Sequence, residues 1–193
     1  YQQHYSIPAS LGAEVRLLKL QEHHGFLPDL ERLKTLVTRE TKLVALTNPN
    51  NPTGALIERP MLEEIVDIAD SVGAAVLCDE VYRGTAQTGD GSSTSIIDLY
   101  PRGISTASTS KAFSLAGLRV GWIAAPADIT EQIAIHRDYD TISVGMINDH
   151  FASIALENAD KLLARSQTIT RKNLAMLETW IEGEPSVSWV KPL

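Results

Sequence analysis

Short apolar runs alternate with helical patterns along most of this 193-residue chain. Their periodicity predicts strands at 15–20, 42–47, 75–78, 104–108, 119–124 and 187–190. It predicts helices at 29–38, 60–72, 127–137, 148–158 and 160–181. Strands that alternate with helices favour a mostly parallel sheet with helices on both faces. The chain is therefore predicted to adopt an α/β fold with three layers, α/β/α.

Composition narrows the classes of protein that this chain can represent. With 44% hydrophobic residues it can bury one sizeable core, which corresponds to about one domain. A net charge of −7 without a basic block argues against nucleic acid or an anionic membrane as the main partner. No metal-ligand spacing is present. The only cysteine, Cys78, cannot form an internal disulfide, which indicates a reducing cytoplasm.

The segment 108–121, STSKAFSLAGLRVG, combines small hydroxyl residues, an amine and a guanidinium. Arg119 follows Lys111 by eight positions, and the two lie on either side of a loop that contains further small residues. Such a loop can hold a phosphate and present a nucleophilic lysine beside it. An aldehyde cofactor with a phosphate tail requires this combination. The alternative is a Ser/Thr-rich loop with a solvated lysine.

A second polar segment, 47–54 with the sequence TNPNNPTG, follows the apolar run 43–46. Two prolines and a glycine among asparagines predict a rigid turn at the end of a strand. In α/β folds the carboxyl ends of the strands are where ligands bind. An asparagine of this turn is therefore a candidate ligand-binding residue, although Asn50 or Asn51 could instead only cap the turn.

The apolar run 75–78 ends in two acidic residues. A buried parallel strand here would bring Asp79 out at its carboxyl end, in the same layer as Asn51. A carboxylate in that position can keep a pyridine nitrogen protonated. Glu80 points the other way on an extended segment and is interpreted as structural. Tyr82, three residues after Asp79, is either a site residue or an ordinary packed tyrosine.

In order and spacing these segments resemble the lysine signature, the Asn-Pro-Thr-Gly element and the Asp-x-x-Tyr element of one family. That family is the class I and II aminotransferases, fold type I enzymes of the aspartate aminotransferase superfamily that use pyridoxal 5'-phosphate (PLP). The steps from Asn51 to Asp79 and from Asp79 to Lys111 are 28 and 32 residues. Each step has room for one strand, one helix and short loops.

The resemblance implies a role for each candidate residue. Lys111 would hold PLP as a Schiff base and move a proton at the substrate's α-carbon, while Asp79 would keep the ring nitrogen protonated. Asn51 and Tyr82 would bind the ring oxygen. The remaining implied cofactor contacts are a phosphate group of residues and one stacking aromatic: Ser108, Ser110 and Arg119 for the phosphate, and Tyr1 for the ring.

The resemblance also implies the activity and the organisation of the protein. The expected reaction transfers an amino group from an amino acid to a 2-oxo acid, in a homodimer with shared active sites. Residues 1–181 are expected to form a PLP-binding large domain that lacks its N-terminal part, and residues 182–193 to begin a smaller C-terminal domain. The chain is thus expected to be a central fragment of a longer enzyme.

Other readings of the same residues remain open. The polar segment 136–145 is similar to parts of aminotransferase-like oxidases and cyclases that act on arginine. A decarboxylase, a lyase, or an aminotransferase-like sensing domain of a transcription regulator would use a similar cofactor shell. The sequence does not identify the amino acid substrate.

Overall fold

A computed structural model describes all 193 residues and contains one four-stranded sheet and six α-helices. The strands are β1 Leu43–Thr47, β2 Ala75–Asp79, β3 Gly103–Ser108 and β4 Gly121–Ala124. The α-helices are α1 Gln3–Ser10, α2 Leu30–Leu36, α3 Arg59–Asp70, α4 Ala127–Arg137, α5 Met146–Glu157 and α6 Ala159–Glu182. The predicted α/β fold is confirmed, and most predicted elements begin and end within a few residues of the observed ones.

The sheet has the order β1-β2-β3-β4. The first three strands are parallel, and β4 runs antiparallel to β3. In register, Thr47 pairs with Asp79, and Asp79 pairs with Thr106. Because parallel strands end at the same edge, the polar residues that follow β1, β2 and β3 are brought together there. The antiparallel β4 begins at this edge, where Gly121 pairs with Ser108.

The core forms between α3 and the middle of the sheet. Helix α3 has Pro60 in its first turn, and the chain leaves its C-terminus through Gly73, whose φ is +71°. Its buried residues recur at the three- and four-residue spacing of an amphipathic helix. They are Leu62, Ile65, Val66 and Ala69. They belong to the same hydrophobic cluster as Val76 and Cys78 of β2. Helix α3 therefore anchors the central one of the three parallel strands.

Two predicted strands do not form. Residues 14–20 take part in no backbone-to-backbone hydrogen bond, and residues 187–190 are not in the sheet. Alternating apolar residues predict burial of one face, but a strand also needs a neighbouring strand to bond with. In the segment 15–20, Leu18 packs against the core while Leu17 is exposed, so the apolar pattern serves packing without pairing.

The connection from β2 to β3 contains no α-helix, contrary to the helix for which the spacing left room. Its only helical element is a 3₁₀ turn at Ile96–Asp98. Glu80 holds this connection, because its buried carboxylate accepts hydrogen bonds from Ser95 Oγ at 2.7 Å and from the Ile96 amide at 2.8 Å. The interpretation of Glu80 as a structural residue is confirmed.

Helix α6 supports two loops at the same edge of the sheet. Gln167 and Arg171 donate side-chain hydrogen bonds to backbone carbonyls of residues 84–90, in the connection that follows β2. Ser166, also on α6, lies with its Oγ 3.2 Å from that of Ser114, in the loop that follows β3. The helix thus ties together the segments that follow two of the candidate site strands.

The single thiol is enclosed in the core. Cys78 is fully buried and forms no disulfide. Burial raises the pKa of the Cys78 thiol, and the carboxylates of Glu80 and Asp79 raise it further, because all three disfavour a thiolate. Cys78 is therefore a packing residue rather than a nucleophile.

No helix of the chain has the length and apolar character needed to cross a membrane.

Candidate active site

A cleft of about 280 Å³ opens at the carboxyl ends of β1, β2 and β3. Its lining comes from the three strand ends, the turns that follow them and the start of the chain. The lining residues are Tyr1, Thr47, Asn51, Asp79, Val81, Tyr82, Thr106, Ala107, Ser108 and Lys111. Six of the eight predicted site residues are among them, although they come from four separate segments of the sequence.

Asp79 lies at the centre of this edge because it ends the middle one of the three parallel strands. Its Cα partners in the sheet are Thr47 and Thr106, which also line the cleft. The side chain is half-buried, and Oδ1 accepts a hydrogen bond from the Val81 amide at 3.1 Å. This bond orients the carboxylate and leaves Oδ2 available to a ligand.

The two asparagines at 50 and 51 have different roles in the turn that follows β1. Asn50 faces inward: its Nδ2 donates to Thr53 Oγ1 at 2.7 Å, and its amide donates to the Ala55 carbonyl at 2.8 Å. Asn51 is exposed and lines the cleft. The structure therefore assigns the turn-capping role to Asn50 and leaves the Asn51 amide group for a ligand.

Gly54, at the end of the same turn, is in close contact with the last residues of the chain. Its φ is +70°, and a Cβ at this position would lie only 2.4 Å from Pro192 Cβ. The Leu193 amide donates to the Gly54 carbonyl at 3.3 Å. A glycine is required here both by the backbone conformation and by the space that Pro192 occupies.

Tyr82 is half-buried at the wall of the cleft, three residues after Asp79. Its carbonyl accepts from Thr85 Oγ1 at 2.7 Å, which tightens the turn after β2. Val81, between these two residues, adds an apolar surface to the cleft. Asp79 and Tyr82 thus line the same cleft from one short turn, with only Glu80 and Val81 between them.

Lys111 lies just after β3, is exposed, and takes part in none of the five ion pairs of the chain. The base of its loop is closed by hydrogen bonds of buried Thr109, whose amide donates to the Val120 carbonyl at 3.1 Å and whose carbonyl accepts from the Leu115 amide at 2.9 Å. Because no carboxylate holds the Lys111 side chain, a carbonyl ligand in the cleft can reach it, and loss of its proton would make it a nucleophile.

The predicted phosphate residues are only partly in the cleft. Ser108 lines it, and its Oγ accepts from the Ser110 amide at 3.2 Å. Ser110 itself does not line the cleft, and neither does Arg119. Arg119 is exposed, has a left-handed backbone with φ +54°, and donates to the Ala116 carbonyl at 2.9 Å. The roles of all these residues toward a cofactor stay predictions.

His4 is a neighbour of the site that the sequence did not indicate. It lies on α1 with its ring edge-on to that of Tyr1, at a centroid distance of 6.2 Å. Burial lowers the pKa of His4, and the Asp79 carboxylate opposes this shift. His4 is therefore within electrostatic reach of Asp79. The only sequence feature that could have indicated His4 is its spacing of three residues from Tyr1. Such spacing brings two side chains together on a helix, and no helix was predicted there.

The polar segment 136–145 is not part of the cleft. His136 and Arg137 end α4, and Arg137 pairs with the neighbouring Asp138 at 3.2 Å. The residues from 136 to 145 are all exposed, and none of them lines the cleft. A contact between this segment and a substrate stays a prediction.

The chemistry of the cleft follows from the functional groups that line it. It holds a free amine, a carboxylate oriented by a backbone amide, a side-chain amide, a phenol and a hydroxyl. An amine can capture a carbonyl carbon covalently, and a carboxylate can stabilise a protonated nitrogen on the same ligand. A small ring that carries both an aldehyde and a basic nitrogen suits this set.

Sequence comparison relates the chain to one family. The family model described as aminotransferase class I and II matches residues 1–171. A capreomycidine synthase from Streptomyces vinaceus is 31% identical over 174 residues, which are 90% of this chain and 44% of that protein. An aromatic amino acid aminotransferase from Mycobacterium sp. (strain JLS) is 32% identical over 168 residues, 83% of this chain and 45% of that protein. The chain thus spans less than half the length of these relatives.

Solved structures agree with this relation. A PLP-dependent aminotransferase from Streptococcus suis 89-1591 superposes with a TM-score of 0.95 at 46% identity, over 100% of this chain and 50% of the other. A double mutant of the aspartate aminotransferase from Thermus thermophilus superposes with a TM-score of 0.90 at 22% identity. The second likeness is one of fold alone.

Proposed function

This chain belongs to the class I and II aminotransferases, and on that basis we propose that the protein is a PLP-dependent enzyme. The proposed reaction transfers an amino group from an amino acid to a 2-oxo acid. One observation carries the proposal: the free amine of Lys111 and the oriented carboxylate of Asp79 meet in a single cleft with Asn51 and Tyr82. A pyridine aldehyde with a ring oxygen matches these four residues group by group.

Four residues would hold the ring of PLP. The Lys111 amine would attach to the aldehyde carbon, and the Asp79 carboxylate would face the ring nitrogen. The Asn51 amide and the Tyr82 hydroxyl would bind the ring oxygen. When bound, PLP supplies an electron sink for the negative charge that develops at the substrate's α-carbon. Once released from the aldehyde carbon, the Lys111 amine would take up and return the α-carbon proton.

The phosphate would lie beside Ser108, Ser110 and Arg119. The hydroxyl of Ser108 already lines the cleft, next to the Ser110 amide. Arg119 would exchange its hydrogen bond to the Ala116 carbonyl for charge-assisted bonds to phosphate. A single exposed bond from a guanidinium to a carbonyl is weaker than paired bonds from the same guanidinium to a phosphate anion, so this exchange is favourable. Tyr1, which lines the cleft from the start of the chain, would stack on the ring.

The test of the reaction is product analysis with and without a 2-oxo acid acceptor. A transaminase converts the amino acid only when an acceptor is present, and it forms one new amino acid for each one consumed. Another fold type I reaction would consume the amino acid without an acceptor. That alternative is kept because one relative is named a synthase rather than an aminotransferase. Turnover that is independent of acceptor would replace transamination by this second class.

A homodimer with sites at the subunit boundary belongs to the same proposal. Its support is the run of exposed apolar side chains on α5 and just before it. Tyr139 is 89% exposed, Ile142 77% and Met146 84%, and Ile147 and Phe151 are also exposed. Apolar surface of this extent suits an obligate interface, which typically buries over ~2,000 Å².

We expect sedimentation velocity of the purified full-length protein to give a dimer at assay concentration. Met146→Lys should shift the distribution toward monomer and lower activity at least about tenfold, because a charge would enter an apolar interface. Gln132→Lys, which adds the same charge at an exposed position of α4, is the control and should leave the dimer intact. An active species that sediments as a monomer would contradict the shared-site arrangement.

The domain boundary and the compartment remain part of the proposal. We place residues 1–181 in a PLP-binding large domain and residues 182–193 at the start of a smaller C-terminal domain. In support, α6 ends at Glu182 and the chain leaves the helix there. The buried free thiol of Cys78 is compatible with a reducing cytoplasm.

A further inference from the structure

We propose that Asn48 is the positioning residue of this site: it sets where Asn51 stands relative to Asp79 without touching the ligand. The inference rests on the proposed function, because it concerns the two residues that would bind the ring oxygen and the ring nitrogen of the cofactor. Asn48 follows β1 directly, is 1% exposed, and does not line the cleft. Its effect on a ligand can therefore only be exerted through other residues.

The side chain of Asn48 closes the turn that carries Asn51. Its Nδ2 donates to the Ile57 carbonyl at 2.9 Å, and its Oδ1 accepts from the Ile57 amide at 2.9 Å. This reciprocal pair joins the two ends of the segment 48–57. Ile57 is itself buried in the core cluster, so the far end of the segment is anchored to the hydrophobic core.

The backbone of Asn48 makes the second connection. Its amide donates to the Asp79 carbonyl at 3.0 Å, one step beyond the last paired residues of β1 and β2. One buried residue is thus bonded both to the strand end that presents the carboxylate and to the turn that presents the amide. No other residue of the turn has bonds to both.

Asn51 depends on this arrangement because its exposed side chain forms no hydrogen bond within the chain. Inside the turn, the Gly54 amide donates to the Asn50 carbonyl at 2.8 Å, so Asn51 moves with the turn as a unit. Loss of the Asn48 side chain would leave a buried amide and a buried carbonyl of Ile57 without partners. The turn would have to rearrange to solvate them, and Asn51 would shift with it.

The experiment is a double-mutant cycle read by the pH titration of the bound cofactor's absorbance. A hydrogen-bond donor at the ring oxygen favours the deprotonated form of the bound cofactor. Asn51→Ala should therefore raise the pH midpoint of this titration by about one unit, which is a tenfold change in proton affinity. Asn48→Ala should raise it by at least half as much. The double variant should shift no further than Asn51→Ala, because the residues act through one contact.

A control separates positioning from loss of stability. Tyr100→Phe removes a buried side-chain bond to the Ala74 carbonyl, at the opposite end of β2 from the cleft. It should lower the unfolding temperature while leaving the titration midpoint unchanged. An equal midpoint shift in Tyr100→Phe, or additive shifts in the double variant, would overturn the positioning role.

Further outcomes distinguish this inference from the proposed function. If Asn48→Ala does not fold, Asn48→Asp, which keeps the acceptor for the Ile57 amide, should show a smaller shift in the same direction. A wild-type midpoint in either folded Asn48 variant would overturn the inference, as would a wild-type midpoint in Asn51→Ala. If the wild-type protein binds no PLP at all, the proposed function fails first and the inference fails with it.

Discussion

Lys111→Ala is expected to abolish covalently held cofactor and to lower turnover by about four orders of magnitude or more. The reason is that Lys111 would combine two proposed roles, attachment to the aldehyde carbon and movement of the α-carbon proton, and general acid–base catalysis alone contributes about 10²–10⁴-fold. The measurement is near-ultraviolet and visible absorbance before and after borohydride reduction, followed by mass spectrometry of the reduced protein. The wild-type protein should be yellow, bleach on reduction and carry the cofactor at Lys111.

Lys161→Ala is the matched control for this variant, because Lys161 is another exposed lysine, in the first turn of α6 and outside the cleft. It should keep both the colour and the reducible cofactor. Lys111→Ala that retains reducible cofactor at wild-type level would refute the assignment of the nucleophile. Noncovalent PLP that dialyses away from Lys111→Ala would agree with it.

Asp79→Asn is expected to retain part of the bound PLP while losing about three orders of magnitude in rate. In the proposed site the phosphate and the lysine attachment would account for most of the binding, whereas the carboxylate would stabilise a positive charge that must persist as negative charge develops at the α-carbon. The amide oxygen of asparagine can still accept from the Val81 amide, so the local structure should persist. The measurement is the rate of amino acid turnover beside the PLP content of the same preparation.

Asp79→Glu keeps the charge and displaces it by about one methylene, so its loss of rate should be smaller than that of Asp79→Asn. Asp67→Asn, an exposed position on α3, removes a carboxylate far from the cleft and should leave the rate unchanged. Small and equal losses in both Asp79 variants would remove Asp79 from the proposed chemistry. A complete loss of PLP from Asp79→Asn would instead make it mainly a binding residue.

Local patterns predicted the middle of the fold well. The run 75–78 became β2, and the amphipathic pattern that begins at Pro60 became α3, because both elements bury apolar residues in the same core. The runs 15–20 and 187–190 were wrong as strands, because a ladder requires a neighbouring strand that an isolated pattern cannot specify. The spacing from Asp79 to Lys111 likewise left room for a helix where the chain forms a single 3₁₀ turn.

The sequence predicted well those site residues that stand at the ends of strands. Asp79 and Ser108 stand at the ends of parallel strands, so their meeting follows from the fold class. Arg119 lies eight positions after Lys111 but does not line the cleft, and its exposed side chain donates to the Ala116 carbonyl, so its contact with a phosphate stays a prediction. His4 comes from a helix that no pattern indicated, and only the three-dimensional structure brings it within reach of Asp79.

What the sequence determined by itself is the chemical inventory and its order: a lysine among hydroxyls, an acid at the end of an apolar run, and an asparagine in a proline-bounded turn. These depend on local periodicity and residue type, which are readable along the chain. Only the tertiary structure decided that Asn50 caps the turn while Asn51 faces the cleft, and that Asn48 connects Ile57 to Asp79. The bond from Asn48 to Asp79 joins residues 31 positions apart and exists only once β1 and β2 have paired, and the choice between Asn50 and Asn51 depends on which side chain the folded turn directs inward.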